Sequence, residues 1–547
     1  MIANTLNKTE IVAFFSSENF FRRKTAESKK ELFDSLTDNF LQEFQQPLDD
    51  TIFDFLISYD TEQKEQRKQR QKALELKKQS LPIAAGLDSL QDHIKTLPKG
   101  RYVLTSAQNN THVNKTALNC LITFCQQNNA KLLCARLTYN KNGFCQPDVN
   151  NDSELWYDSA IKPYLVQGHI DLQGAHFLAD ANIIPTAKKP CSGFDSATDA
   201  GIHCILPHTT ISLSVVAALK NSKTKILAST GTITKANYIM RKAGSTAMLN
   251  HCIGGLFIDT TNPNNIVIRH LQLMPNYDYI YDLTFRYSEN KAEEVKNHVA
   301  ALQPGDIHAE KMRSENLKSI SDLLELLKPE FLVLHDLLDF SSRNHHNVKD
   351  CTFIHKQTVN KQTVYGDLLS MTRIIDYFLT QCKDIVIIES NHDLALNTWL
   401  KNEDFKKDPI NAVVYLQCML AIYKYQEEKP NTENSLNMLE YAYKEICQGK
   451  GKNVIFNRVD ESFIVAGVEM GSHGHNGING SKGSPDQFRK LGIAMNTGHT
   501  HSPSIHGKVY TAGVSASLEM GYNVGASSWM IAHIVTYNNG QRQIIFS

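Results

Sequence analysis

Hydrophobic and polar positions divide the chain into three textures. The first hundred residues read as helical, and TEQKEQRKQRQKALELKKQ at 61–79 is rich in helix formers. From Arg101 the pattern changes. RYVLTS (101–106) reads as a strand, TALNCLITFCQQNN (116–129) as a helix and KLLCARLTY (131–139) as a second strand, together a βαβ unit. KILAST (225–230) and GGLFID (254–259) add further buried strands. The highly polar RYSENKAEEVKN at 286–297 marks a boundary, beyond which short apolar runs each end in carboxylates or histidines. The expectation is an α/β protein with a helical region at 1–100, an α/β accessory domain at 101–295 and a third domain at 296–547.

The composition supports several domains. A chain of 547 residues, 41% of them hydrophobic, exceeds the size at which one core stops growing. The 57 basic and 57 acidic residues cancel, so attraction to nucleic acid or membrane must come from local patches. One candidate patch is the 61–79 run, with Lys64, Arg67, Lys68, Arg70, Lys72, Lys77 and Lys78 against three glutamates; a solvated helix face is the favoured reading. The eleven cysteines include no CxxC pair, which suits reduced thiols in a cytoplasm. The amino terminus lacks the apolar segment of a secretory signal, and runs such as ISLSVVAAL (211–219) are too short to span a bilayer, so no membrane partner is expected.

The candidate chemistry lies after residue 296. VAALQPGDIHAEK (299–311) ends in Asp306 and His308, two apart and so on one face of an extended segment. FLVLHDLLDF (331–340) delivers Asp336 with Asp339 just beyond, and DIVIIESNHD (384–393) delivers Asn391, His392 and Asp393. EMGSHGHNG (469–477) adds His473 and His475, and NTGHTHSPSIHG (496–507) adds His499 and His501. Imidazole, carboxylate and amide ligands in this mixture suit a two-metal hydrolase, with ions about 3.5–4 Å apart. Hard oxygen donors beside histidine favour Mn²⁺, with Mg²⁺ or Fe²⁺ also compatible. By contrast, STGT at 229–232 lacks P-loop spacing and reads as a strand-ending turn.

These residues, in this order, resemble the calcineurin-like metallophosphoesterases, whose motifs are DxH, GDxxD, GNH[DE], a His followed by a small residue, and GHxH. The resemblance covers residues 300–547 and implies a four-layer α/β/β/α sandwich. It implies that Asp306, His308, Asp336 and His501 hold one divalent ion, and Asp336, Asn391, His473 and His499 a second. His392 would then assist the leaving group, with Asp393 orienting its ring. Two positions depart from the pattern: His335 and Ser390 stand where the family has glycine.

The substrate expected is DNA. SSRNHHN (341–347) carries Arg343, His345 and His346 where a phosphodiester could be gripped, and is similar to the histidine-bearing loop of SbcD-type nucleases. QGKGKN (448–453) is a second basic loop. The layout, an unfamiliar front half before a nuclease-like back half, is similar to phage-encoded early nucleases that degrade host DNA. A homo-oligomer is expected. Two other readings stand beside this one: a protein or nucleotide phosphatase, and a nucleic-acid-binding or assembly protein with a vestigial metal site.

Overall fold

A computed structural model describes residues 7–80, 94–139, 156–220, 222–344, 351–432, 435–521 and 523–547. The chain forms two compact units, Met1–Asp92 and His93–Ser547. The first is helical: Lys8–Ser17, Ala26–Ser35, Thr37–Phe44 and the long Asp50–Ser80. Thr25 and Ser28 form a reciprocal cap on the second helix. Phe15, Phe20, Phe33 and Phe40, with Leu56, make a small aromatic core. Lys64, Arg67 and Lys68 of the basic run are exposed, as a solvated face requires; the side chains of residues 70–80 lie outside the described set.

Among the described residues, the second unit is mixed α/β with four sheets. The βαβ unit read from the sequence forms, with Arg101–Gln108 pairing Ala130–Leu137 in parallel across the helix Lys115–Asn128. The segment around STGT is sealed inside: Thr230 and Thr232 are buried, and Thr232 donates to the Ser106 carbonyl, so it closes a strand rather than cradling a phosphate.

A six-stranded sheet positions the candidate site. Its order is Ile455–Asn457, Asp384–Ile388, Phe331–His335, Val299–Gln303, Ala532–Tyr537, Arg542–Phe546, the first four parallel and the last two antiparallel. Both faces are covered, which is why the sequence shows unbroken apolar runs. Leu332, Leu334, Ile385 and Ile387 join the helices Ser314–Leu327 and Val364–Phe378 in one core. The alternate residues Val333, Val386 and Ile388 pack with Val465, Val468 and Met470 on the other side. Those last residues belong to an eleven-stranded sheet or border it.

That larger sheet crosses the expected boundary at 295. Ser212–Val216 pairs antiparallel with Ser504–His506, placing Ile505 opposite Leu213. The front and back halves of His93–Ser547 therefore share one sheet and a core containing Ile205, Leu213, Ile505 and Ile534. Among the described residues, no helix is long and apolar enough to cross a membrane.

Candidate metal centre

Three parallel strands, Val299–Gln303, Phe331–His335 and Asp384–Ile388, release their following loops at the same sheet edge, where α/β proteins place ligands. Backbone hydrogen bonds lay two of these loops side by side: Ile307, His308 and Ala309 donate to the carbonyls of His335, Asp336 and Leu337 at 3.1, 2.8 and 2.9 Å. A third wall comes from the carboxyl-terminal strands, with Asp306 N donating to Gly513 O at 3.0 Å and Ser515 N to Asp306 O at 2.7 Å. Gly305 has no room for a side chain there, because a Cβ would stand 2.6 Å from the Val514 carbonyl carbon.

Within this frame Asp306, His308, Asp336 and His501 converge, with one donor atom from each within 4.8 Å of the others. All four are buried. His501 Nε2 lies 3.2 Å from Asp306 Oδ2 and 3.9 Å from Asp336 Oδ2, and His308 Nε2 lies 3.3 Å from Asp336 Oδ2. The two Nε2 atoms of His308 and His501 face one another at 3.0 Å. Two nitrogens each about 2.1 Å from a common ion, at near-right angles, would be about 3 Å apart.

The backbone is strained at these same residues. His308, Asp336, His499 and His501 have φ of 43°, 52°, 72° and 55°, in the left-handed region that non-glycine residues seldom enter. Neither His335 nor Ser390 does so, and the glycine-to-larger departures are therefore accommodated in ordinary conformations. Ser390 Oγ donates to Asp393 Oδ2 at 2.8 Å and accepts from Asp393 N at 3.1 Å, pinning its turn through the side chain that glycine lacks.

Two further expected ligands, His473 and His499, lie beside the Asp306 and Asp336 carboxylates. His473 Nε2 is 3.6 Å from Asp336 Oδ2, and the His499 ring packs against that of His473 with centroids 5.3 Å apart. The His499 amide donates to Asp306 Oδ2 at 2.7 Å. Asp306 Oδ1, both Asp336 oxygens, Asn391 Oδ1 and both His473 nitrogens are buried and have no hydrogen-bond partner. Orphaned buried donors and acceptors on this scale are costly, and a dication fits the set: two carboxylates, an amide oxygen and several imidazoles.

The electrostatics point the same way. Burial alone would raise the Asp336 carboxyl, but the surrounding imidazoles, His392 foremost, outweigh it and hold it well below the usual range. Burial pulls His501 down, yet the adjacent Asp306 and Asp336 carboxylates lift it to about 9. Burial takes His473 to about 3, so that ring is neutral and able to donate a lone pair.

His392 sits beside this cluster, its ring 4.8 Å from that of His308 at 89°. Its Nδ1 is 3.3 Å from the Asp339 carbonyl oxygen and 3.8 Å from Asp339 Oδ1. Asp393, expected to orient His392, is engaged differently: it accepts from Leu338 N at 3.1 Å and Ser390 N at 3.0 Å, tying the loops together. Asp339 also contacts His308 Nδ1 at 3.4 Å, which leaves His308 Nε2 to face the cluster.

Arg343, expected at the substrate phosphate, clamps its own loop. Its Nε and Nη2 reach the two Asp408 oxygens at 2.7 Å each, and Nη1 meets Gln357 Oε1. The fork geometry that would suit a phosphate is taken up by a carboxylate. Arg343→Ala should lower stability by about 2 kcal/mol while leaving DNA affinity in EDTA unchanged, read by thermal melting beside fluorescence anisotropy; weakened binding with unchanged melting would restore the phosphate contact. His345 and His346 lie outside the described residues. QGKGKN wraps Tyr443, whose hydroxyl accepts from Gly451 N at 2.8 Å, and its lysines are exposed.

Several residues of the centre carry no sequence signal of their own. Glu310 accepts from Asp339 N and Phe340 N at 2.9 Å each, holding the Asp336 loop from beneath. His335 is buried against His473 at 5.6 Å, and Trp529 packs on His501 at 4.2 Å.

The chain is 38% identical to "Protein A1" of Escherichia phage T5 over 559 aligned positions, spanning all of this chain and 98% of that protein. The chain belongs to the protein A1 family. The phage source of this relative agrees with the phage-type layout read from the sequence. Because the match runs end to end, A1 family membership takes in the helical unit before Asp92 as well as the buried His/Asp cluster. No family model and no solved structure matches the chain.

Proposed function

We propose that this A1 family member is a two-metal-dependent phosphodiesterase that cleaves DNA, with residues 296–547 as a metallophosphoesterase sandwich. The observation that carries the reading is the convergence of Asp306, His308, Asp336 and His501 from separate segments, with buried oxygens and nitrogens that no protein group satisfies. The motif order and the likeness of the 341–347 sequence to the SbcD-type nuclease loop support DNA as the substrate.

In this reading Asp306, His308, Asp336 and His501 hold one ion, and Asp336, Asn391, His473 and His499 the other. The pair, with Mn²⁺ expected, would supply Lewis acidity toward the phosphate and ease deprotonation of an attacking water. The chain's own part is to fix this geometry through the strained loops, exclude solvent from Asp306 and Asp336, and place an acid near the leaving oxygen. His392 fills that last role: with Nδ1 toward Asp339, its Nε2 would deliver the proton. Burial lowers the His392 pKa, and the Asp336 and Asp339 carboxylates more than offset this.

The test is full-length protein incubated with linear, circular and single-stranded DNA under EDTA, Mg²⁺ and Mn²⁺. Hydrolysis with Mn²⁺ and none in EDTA is expected. Mn²⁺ at about a hundred times its Kd should also stabilise the fold by about 2.7 kcal/mol. Phosphate release from nucleotides with DNA left intact would instead make the protein a monoesterase, and bound metal with no hydrolysis would overturn the enzymatic reading.

A further inference from the structure

The Ser504–His506 and Val509–Thr511 strands run from the metal centre to a turn at Gly507 and Lys508, roughly 10 Å along the sheet. Gly507 takes φ +63° there, and a Cβ would meet Asn250 Oδ1 at 3.0 Å. Beside this turn opens a pocket of about 380 Å³. Its walls come from both halves of the unit: Lys188, Thr246 and Asn250 on one side, Arg489, Lys490 and Lys508 on the other. Arg489 Nη1 donates to Lys188 O at 3.2 Å and joins them.

Four cationic side chains line this pocket and no carboxylate does. Among the described residues, Lys188, Lys490 and Lys508 make no ion pair. The nearby acid, Asp486, is outside the lining and is neutralised by Lys189, His506 at 3.2 Å and Arg489 at 3.7 Å. In a chain whose charges cancel overall, such a concentration of one sign is a local anion site. The pocket abuts a second cavity of about 810 Å³, with Asn250, Gly507 and Lys508 common to both. That cavity offers Gln272 and Tyr277, which is 40% exposed, beside Arg542 and the shared Lys508, while the ring nitrogens of His251 are taken by the Tyr238 hydroxyl and the Thr234 carbonyl.

We propose that the two cavities hold a single strand of nucleic acid, its phosphates on Lys188, Arg489, Lys490 and Lys508 and its bases in the larger cavity. Cations tracking a backbone beside an aromatic platform are how sequence-tolerant strand binding is built. The inference deepens the DNA reading above by adding a holding site at the Gly507–Lys508 turn, at the other end of the Ser504–His506 strand from His501. It requires no catalysis, so it can fail or hold separately.

The experiment is fluorescence anisotropy of the full chain with a labelled oligo(dT) in EDTA across a salt series. The triple variant K188Q/K490Q/K508Q should bind at least about tenfold more weakly, with the log–log salt slope shallower by about 2. The charge-keeping K188R/K490R/K508R should bind as the native chain does, which separates lost charge from misfolding. Hydrolysis of bis(p-nitrophenyl) phosphate with Mn²⁺ should be unchanged in both variants. If that hydrolysis is absent from the native chain while the salt slope still shifts, the catalytic reading fails and the strand site stands. Unchanged affinity and slope in the glutamine variant would overturn the strand site. Equal displacement of the oligonucleotide by pyrophosphate at matching phosphate concentration would also overturn it, in favour of a small polyphosphate.

Discussion

Asp336→Asn should leave a folded chain that has lost more than about a hundredfold of its DNA hydrolysis and most of its bound metal. Disturbing a residue that merely orients a ligand typically costs ten- to a hundredfold, and under the proposed function Asp336 would be shared by both ions. Asparagine suits the test because it tolerates the left-handed backbone at φ 52° that alanine would strain. The stability signature is distinctive. In EDTA the neighbouring imidazoles hold the native carboxyl well below its usual range, so its charge stabilises the fold, and the amide that removes it should melt below the native temperature. With Mn²⁺ the gap should widen. Inactive protein that still binds two equivalents of metal, measured by elemental analysis after gel filtration, would show that Asp336 is not the shared ligand.

Gly498→Ala should be nearly as damaging, although it removes no ligand. A Cβ at 498 would stand 2.2 Å from Asp306 Oδ1 and 3.2 Å from His473 Nδ1, driving apart two side chains assigned to different ions. A displacement of about 1 Å at a reactive site can cost a hundredfold in rate. Gly480→Ala is the matching control: φ there is +72°, so alanine is strained, but nothing lies within 4 Å of the new methyl. The control should lose about 1 kcal/mol of stability and keep its activity. Equal activity of the two variants would mean that the Asp306 and His473 positions are not critical.

The order of the candidate ligands was legible because the strands before them are covered on both faces. Covering converts Phe331–His335 and Asp384–Ile388 into short apolar runs, and the polar residues that follow stand out as loop termini. What could not be read were partnerships set by tertiary packing. Arg343 finds Asp408 across 65 residues, and Glu310 reaches back to the amides of Asp339 and Phe340, with neither spacing leaving a periodic trace. Asp393 neighbours His392 in sequence, but its turn directs the carboxylate to Leu338 and Ser390. The three-residue strands Ser504–His506 and Val509–Thr511 are too short for alternation to announce them, so the sheet joining front to back was hidden as well.

That joint has a practical and an evolutionary consequence. Ser504–His506 takes its outer neighbour, Ser212–Val216, from nearly three hundred residues upstream. A cut near 295 would therefore expose a raw strand edge a few residues from His501, inviting aggregation where the chemistry is set. The natural seam for dissection lies at Asp92, and lineages exchanging parts of this protein would be expected to inherit everything beyond it as a single block.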